Sequence, residues 1–327
     1  MRRFWAGAAT VALFLVACGG DGSSEGAERT LSAALEQLRR SDGATLEFTL
    51  QSTPESLQSL ARDGGDDLTH SDAQKILSSS LVVSSALDGN GSGAARVALN
   101  VAGNEDLELR TTKDTIYVRA DVRSLLETFG QDPAAADQFV AQARAAGWDF
   151  AESLVAGRWL AITGFEQLAG QTRSTPFPEQ QRVLAELTAA LEASTTVTSA
   201  GEEGPGEHLV ASFSLRDLYD RLQRIAADLG KATGPALPPA GTVPDEVVSI
   251  DLWVDGDRLT QVEFDFLQLR RLEGADVPEG VERLALRVAV SDFSGPIEVP
   301  SDAVPVDLSK VLGGMLGSAA MGAAPAQ

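Results

Sequence analysis

Cysteine is all but absent from this chain: Cys18 is the single one in 327 residues. No internal disulfide can form, and a Cys/His nucleophile or a cysteine-rich zinc site is not expected. Histidine is almost as scarce. His70 and His208 are the only two, and neither lies in a recognisable ligand or nucleophile motif. The chain also lacks a Gly-x-Ser-x-Gly elbow and a Gly-x-x-x-x-Gly-Lys-Ser/Thr phosphate loop. Carboxylates are so abundant that no pair stands out for acid–base work. No catalytic residue, metal site or cofactor is therefore assigned, and an enzyme is the least supported class. Positive charge is the next shortage: 26 Lys and Arg face 47 Asp and Glu, a formal net charge of −21. Without Arg2 and Arg3 the value becomes about −23. Such a surface repels phosphate backbones, so nucleic acid is not an expected partner. It is not drawn to an anionic membrane surface either. The uncharged opening run, Phe4 to Val16, is shorter than the roughly 20 residues that a membrane-spanning helix needs.

What the opening does contain is a leader. Arg2 and Arg3 form a short positive n-region, and Phe4 to Val16 has the length of a signal-peptide h-region. It ends in Leu15-Val16-Ala17-Cys18-Gly19, which resembles the bacterial lipobox. The resemblance implies that residues 1–17 are a signal peptide, that the Cys18 thiol receives a diacylglycerol, and that cleavage leaves Cys18 N-terminal. A plain signal peptide with an incidental cysteine, or a short membrane anchor, is the competing reading. Charge, length, spacing and the lone cysteine agree on the lipobox. The expected place is the extracytoplasmic face of the cell membrane, with the lipid as anchor. Gly19 to Glu28 is rich in Gly, Ser, Asp and Glu and reads as a tether, so 18–40 is lipidated cysteine and tether running into a short helix. Residues 313–327 read as a frayed tail.

Between them, 41–312 alternates in a readable way. Leu46, Phe48 and Leu50 oppose Thr45, Glu47 and Thr49. Val97, Leu99 and Val101 oppose Arg96, Ala98 and Asn100. Leu107 and Leu109 oppose Glu108 and Arg110, and Ile116 and Val118 continue the apolar set after a turn at Lys113-Asp114. Val248, Ile250, Leu252 and Val254 oppose Ser249, Asp251 and Trp253. A turn at Asp255-Gly256-Asp257 returns the chain through Val262, Phe264 and Phe266, and Asp-Gly between alternating runs is a strong hairpin signal. Leu284, Leu286, Val288 and Val290 close the series. Ser80 to Leu87 and His208 to Ser214 read as weaker strands. Period-two alternation of this kind marks half-buried antiparallel strands.

The middle, about 121–230, has helical spacing. Leu125 to Phe129, Ala134 to Ala146 and Phe177 to Ala193 read as helices, the last with a stripe of Val183, Leu184, Leu187 and Leu191. Ser214 is placed to cap a helix from Leu215 to Leu229, with Leu218, Leu222, Ile225 and Leu229 on one face. Pro235 to Pro244 reads as a linker. The expected fold class is α+β: a curved antiparallel sheet, a half-barrel, with helices packed on its apolar concave face. One domain is favoured over two because the N-terminal strands alone offer a small core.

The order of these pieces resembles a known family. A lipobox is followed by Leu107-Glu108-Leu109-Arg110, then Thr115-Ile116-Tyr117-Val118, then Gly157-Arg158-Trp159-Leu160, then the hairpin Ile250-Asp251-Leu252-Trp253-Val254-Asp255-Gly256-Asp257-Arg258-Leu259. This looks like the LolA/LprG-like lipoproteins of actinobacteria, over about half of the mature chain. The resemblance implies a sheet wrapped around helices with an apolar cavity between them that holds acyl chains. Phe48, Leu50, Leu99, Val118, Val248, Ile250 and Phe264 are the candidate cavity walls, being large and on the apolar side of their strands. The implied ligand is a lipid or lipoglycan, and the membrane is the partner through the lipid on Cys18. The alternative is a structural or regulatory envelope lipoprotein with a filled core and a protein partner whose identity the chain does not give.

Other features have plainer readings. Asp63-Gly64-Gly65-Asp66-Asp67 lacks the spaced ligands of a calcium loop and reads as solvated. Asp88-Gly89-Asn90-Gly91-Ser92-Gly93 is turn chemistry. Trp148, Trp159, Trp253, Tyr117 and Tyr219 are core candidates before they are pocket residues. Trp253 falls on the polar side of its strand, where a loop or a partner is expected to cover it.

Overall fold

A computed structural model describes residues 25–87, 93–112, 115–164, 195–204, 206–228, 243–272 and 274–308. Cys18, the Phe177 to Ala193 helix, the turns at Asp88 and Lys113 and the 313–327 tail lie outside these residues, as does most of the Pro235 to Pro244 linker. The described chain is α+β, with twelve strands hydrogen-bonded in one open sheet. Two compact units are distinguished.

The first unit begins with helix α1 (Glu25–Arg40). Glu25 and Glu28 sit in its first turn, where acidic side chains favour the positive end of the helix. The tether read to Glu28 therefore ends sooner, because its last acids start this helix. Ala27, Leu31, Ala34 and Leu35 are buried, one stripe at helical spacing. The unit continues with β1 (Gly43–Ser52) from Phe48 onward, helix α2 (Pro54–Asp63), and later β7 (Thr195–Glu203), β8 (Gly206–Ser214), α7 (Leu215–Asp228), β9 (Val247–Asp255), β10 (Arg258–Asp265), α8 (Leu267–Leu272) and β11 (Leu284–Asp292). Its strand order is β1-β11-β10-β9-β8-β7, and α1 packs against β7, β9 and β10.

Local chemistry explains several boundaries. Thr53 Oγ1 accepts the Ser56 N–H at 3.1 Å with Pro54 next in line, which starts α2. Ser214 Oγ accepts the Asp217 N–H at 3.2 Å, so the expected cap of α7 is present. The expected β9–β10 hairpin turns at Gly256 with φ 64°. Beyond Asp265, Gln268 extends the ladder with its side chain: Ser249 N–H donates to Oε1 at 2.8 Å, and Nε2 donates to the Ser249 carbonyl at 2.9 Å. At Gly206 the backbone of β8 comes so close to β9 that an added Cβ would lie 2.3 Å from the Val254 carbonyl oxygen.

The second unit holds the start of β1 to Glu47, then the second half of α3 (His70–Leu77), β2 (Ser80–Leu87), β3 (Gly93–Val101), β4 (Asn104–Thr111), β5 (Ile116–Ala120), α4 (Val122–Thr128), α5 (Ala135–Ala145), α6 (Phe150–Val155), β6 (Leu160–Thr163) and β12 (Val304–Asp307). Its strand order is β12-β6-β5-β4-β3-β2-β1. Helix α4 packs against β4, while α6 packs against β5, β6 and β12. Asp121 Oδ1 caps α4 by accepting the Ser124 N–H at 2.9 Å.

Two expectations change here. The helical middle also contributes β6 and β7. The sheet is not wholly antiparallel, because β12 runs parallel to β6. Val304 N–H donates to the Trp159 carbonyl at 2.8 Å, toward β6. Alternation then turns the nitrogen of Pro305 to the outer side, where proline's missing donor breaks no ladder bond.

Candidate functional site

The registers sort each unit's strands into two faces. In the first unit Leu209, Leu252, Val262 and Val288 stand in one row across β8, β9, β10 and β11. Val197, Ala211 and Ile250 form the next row, and Phe264 pairs with Leu286 on the same face. This face is closed: Leu209 is 0% exposed and Leu252 1%. Val248 and Phe264 are buried within it, and Ile250 is half-buried. Phe48 and Leu50, on β1, are half-buried too.

In the second unit Leu81, Leu99, Leu107 and Ala120 form one row. Val83, Val97, Leu109, Val118, Leu160 and Val304 form the next, and Thr111, Ile116, Ile162 and Val306 a third. Ala120, Leu160 and Val306, at or near the ends of these rows, are buried. The aliphatic residues between them, Leu99 and Val118 included, are only half-buried, and Leu81 is 37% exposed. The candidates thus divide. Leu99 and Val118 share the open face of one unit, while Val248, Ile250 and Phe264 share the closed face of the other.

The opposite faces carry polar networks that alternation placed correctly but did not connect. In the second unit Glu108 is 1% exposed and each of its oxygens is used. Oε1 accepts from Arg96 Nε at 2.6 Å and Arg110 Nε at 2.8 Å, and Oε2 from Arg119 Nη2 at 2.9 Å. Glu105 binds Arg96 and Arg119 as well. The guanidinium carbons of Arg110 and Arg119 lie 4.7 and 5.1 Å from the centre of the Trp159 ring. Burial pushes the Glu108 carboxyl up, but hydrogen bonds from Arg110 and Arg96 outweigh it and hold the group below its ordinary value. The signal available in sequence was Arg96, Glu108 and Arg110 on one side of neighbouring strands.

In the first unit Trp253 stacks on His208. The two rings stack 4.7 Å apart at 3°, and His208 Nε2 lies 2.8 Å from Asp251 Oδ1. Glu263, nearly buried, binds Arg283 and Arg287. His70 is 3.5 Å from Glu55 at the surface. The Asp63 to Asp67 run is exposed, with Asp63 paired to Arg270 at 2.8 Å. Trp148 stacks on Phe150 at 6.2 Å, Trp159 lies under the arginines, and Tyr117 and Tyr219 are half-buried. Among the described residues no group of three or more His, Cys, Asp or Glu is arranged to hold a metal, and no helix is long and apolar enough to cross a membrane.

The fold and site define an α+β protein with an open sheet, apolar on one side and charged on the other in each unit. No protein-family model and no curated protein sequence matches the chain. Among solved structures it is similar to the Mycobacterium tuberculosis lipoprotein LppX, with 11% identity and a TM-score of 0.33 over 83% of this chain and 97% of that one.

Proposed function

We propose that this chain is a non-enzymatic lipid-binding lipoprotein, held at the extracytoplasmic face of the membrane by Cys18, and that acyl chains of a lipid or lipoglycan lie on the apolar face of its second unit. One observation carries the reading. Two stretches of one sheet both present apolar rows, yet most members of the first unit's rows are buried while most members of the second unit's are only half-buried. Exposed apolar area of this kind is unfavourable by about 25 cal/mol per Å². A hydrocarbon chain lying across Leu99, Leu107, Leu109 and Val118 would relieve that cost without requiring any charged contact. Val248 and Phe264, by contrast, act as core.

The test uses the mature chain with Cys18→Ser, offered a fluorescent fatty acid in solution. Saturable uptake is expected, weakened by Leu109→Gln or Val118→Gln with folding intact. A well-folded protein that takes up no fatty acid overturns the proposal in favour of a filled, structural core.

A further inference from the structure

Six large apolar residues are conspicuously exposed among the described residues, and five of them belong to the second unit: Ile76, Leu81, Phe129, Phe139 and Val299. Two of them follow residues that touch each other. Lys75 Nζ donates to the Thr128 carbonyl at 2.8 Å, which brings the last turns of α3 and α4 together. Ile76 and Phe129 each follow one of those two residues, and they are 42% and 65% exposed. Leu81 follows closely after α3 and is the first member of the half-open row through Leu99 and Leu107. The fourth, Phe139, lies on α5, which packs against α4. Leu81 therefore belongs both to the exposed set and to the apolar rows assigned above to acyl chains.

We infer that Ile76, Leu81 and Phe129 form a membrane-docking patch that inserts into the bilayer interface and opens the acyl-binding rows to the lipid. The inference rests on the acyl-chain reading and on the anchor at Cys18. Its occupant follows from two features. Cys18 precedes the start of α1 at Glu25 by seven residues. A chain that short reaches about 25 Å at full extension, so a lipid on Cys18 keeps the folded body beside a bilayer. The charged neighbours Asp72, Glu127 and Asp132 are acidic, with Lys75 turned to a backbone carbonyl. The contact is consequently apolar and favours a neutral surface over an anionic one. A patch of this kind on a folded protein marks an interaction site more often than chance exposure.

The experiment uses the mature chain with Cys18→Ser, so that the lipid anchor cannot bind for it, and phosphatidylcholine vesicles as the probe. The wild-type surface is expected to bind them, and less well when phosphatidylglycerol is added. Ile76→Ser with Phe129→Ser is expected to weaken binding about tenfold or more. Both side chains are exposed, so folding should survive, and uptake of monomeric fatty acid in solution should be unchanged. Absence of vesicle binding, or equal binding by wild type and variant, overturns the docking patch and leaves the acyl site standing. Vesicle binding lost in the variant, with no fatty-acid uptake by either protein, supports docking and overturns the acyl reading instead.

Discussion

Glu108 on β4 and Arg119 on β5 stand directly opposite each other and meet at 2.9 Å on the polar side of the sheet, with the glutamate almost fully enclosed. Arg96 and Arg110 close on its other oxygen. Removing the carboxylate takes a buried partner from three guanidinium groups at once. Glu108→Ala is expected to cost about 3–5 kcal/mol, the range for breaking a buried pair from one side. Urea titration of the purified chain measures it. A loss no larger than that of an exposed glutamate would show that the arginines find water instead.

The same carboxylate makes stability depend on acid. Its folded value is depressed below the ordinary 4.5 by Arg110 and Arg96, after burial has pushed the other way. A depressed carboxyl contributes fully above its unfolded value, and that contribution is lost as pH falls through the lower folded value. The wild type should thus lose more stability between neutral pH and about pH 3 than Glu108→Gln does. Thermal melts of both proteins across that range decide it, and parallel curves would refute the assignment.

The contrast between the two apolar faces can be read in stability alone. Leu252→Ala empties a closed site and is expected to cost about 2–5 kcal/mol. Leu99→Ala removes a half-exposed side chain and should cost no more than about 1 kcal/mol. Equal losses would mean that the second unit's face is as tightly packed as the first's.

Gly206 is predicted to be irreplaceable on steric grounds. Its φ is 149°, and an added Cβ would meet the Val254 carbonyl oxygen at 2.3 Å. Gly206→Ala should force β8 and β9 apart and cost about 1–3 kcal/mol. An unchanged melting temperature would place the two strands farther apart than described.

Cys18→Ser should abolish incorporation of a labelled fatty-acid analogue and leave the protein uncleaved or released. Labelling that persists in the variant would rule out Cys18 as the anchor.

Strands whose apolar side is continuous were legible from residues alone. Alternation placed Ile250, Phe264 and Leu286 on one face, and Leu99 with Ile116 on one face, as the registers have them. Other elements left weaker traces. β7 turns Thr195 and Val197 inward, so only one of its buried residues is aliphatic. β6 is four residues long, and β12 contains a proline, which normally argues against a strand. Among the site candidates, period-two patterning told which side of a strand is apolar. It could not tell whether helices cover that side, because coverage depends on distant residues such as Leu31 and Leu35 of α1. That is why Val248 and Leu99 looked alike in sequence and differ in the fold. The ring pair of His208 and Trp253 was equally silent, since the two residues lie 45 positions apart and meet only through the β8–β9 register.

Pro305 has a consequence beyond its own strand. β12 ends the sheet, and its outward-facing nitrogen at Pro305 offers no hydrogen to a strand approaching from outside. A neighbouring molecule seeking to extend the sheet would meet four residues with a missing rung at their centre. The lipid anchor proposed at Cys18 would confine molecules to two dimensions, where collisions between exposed edges become frequent. At this end of the sheet the chain answers crowding with an edge that does not template, so copies packed side by side can stay individual molecules.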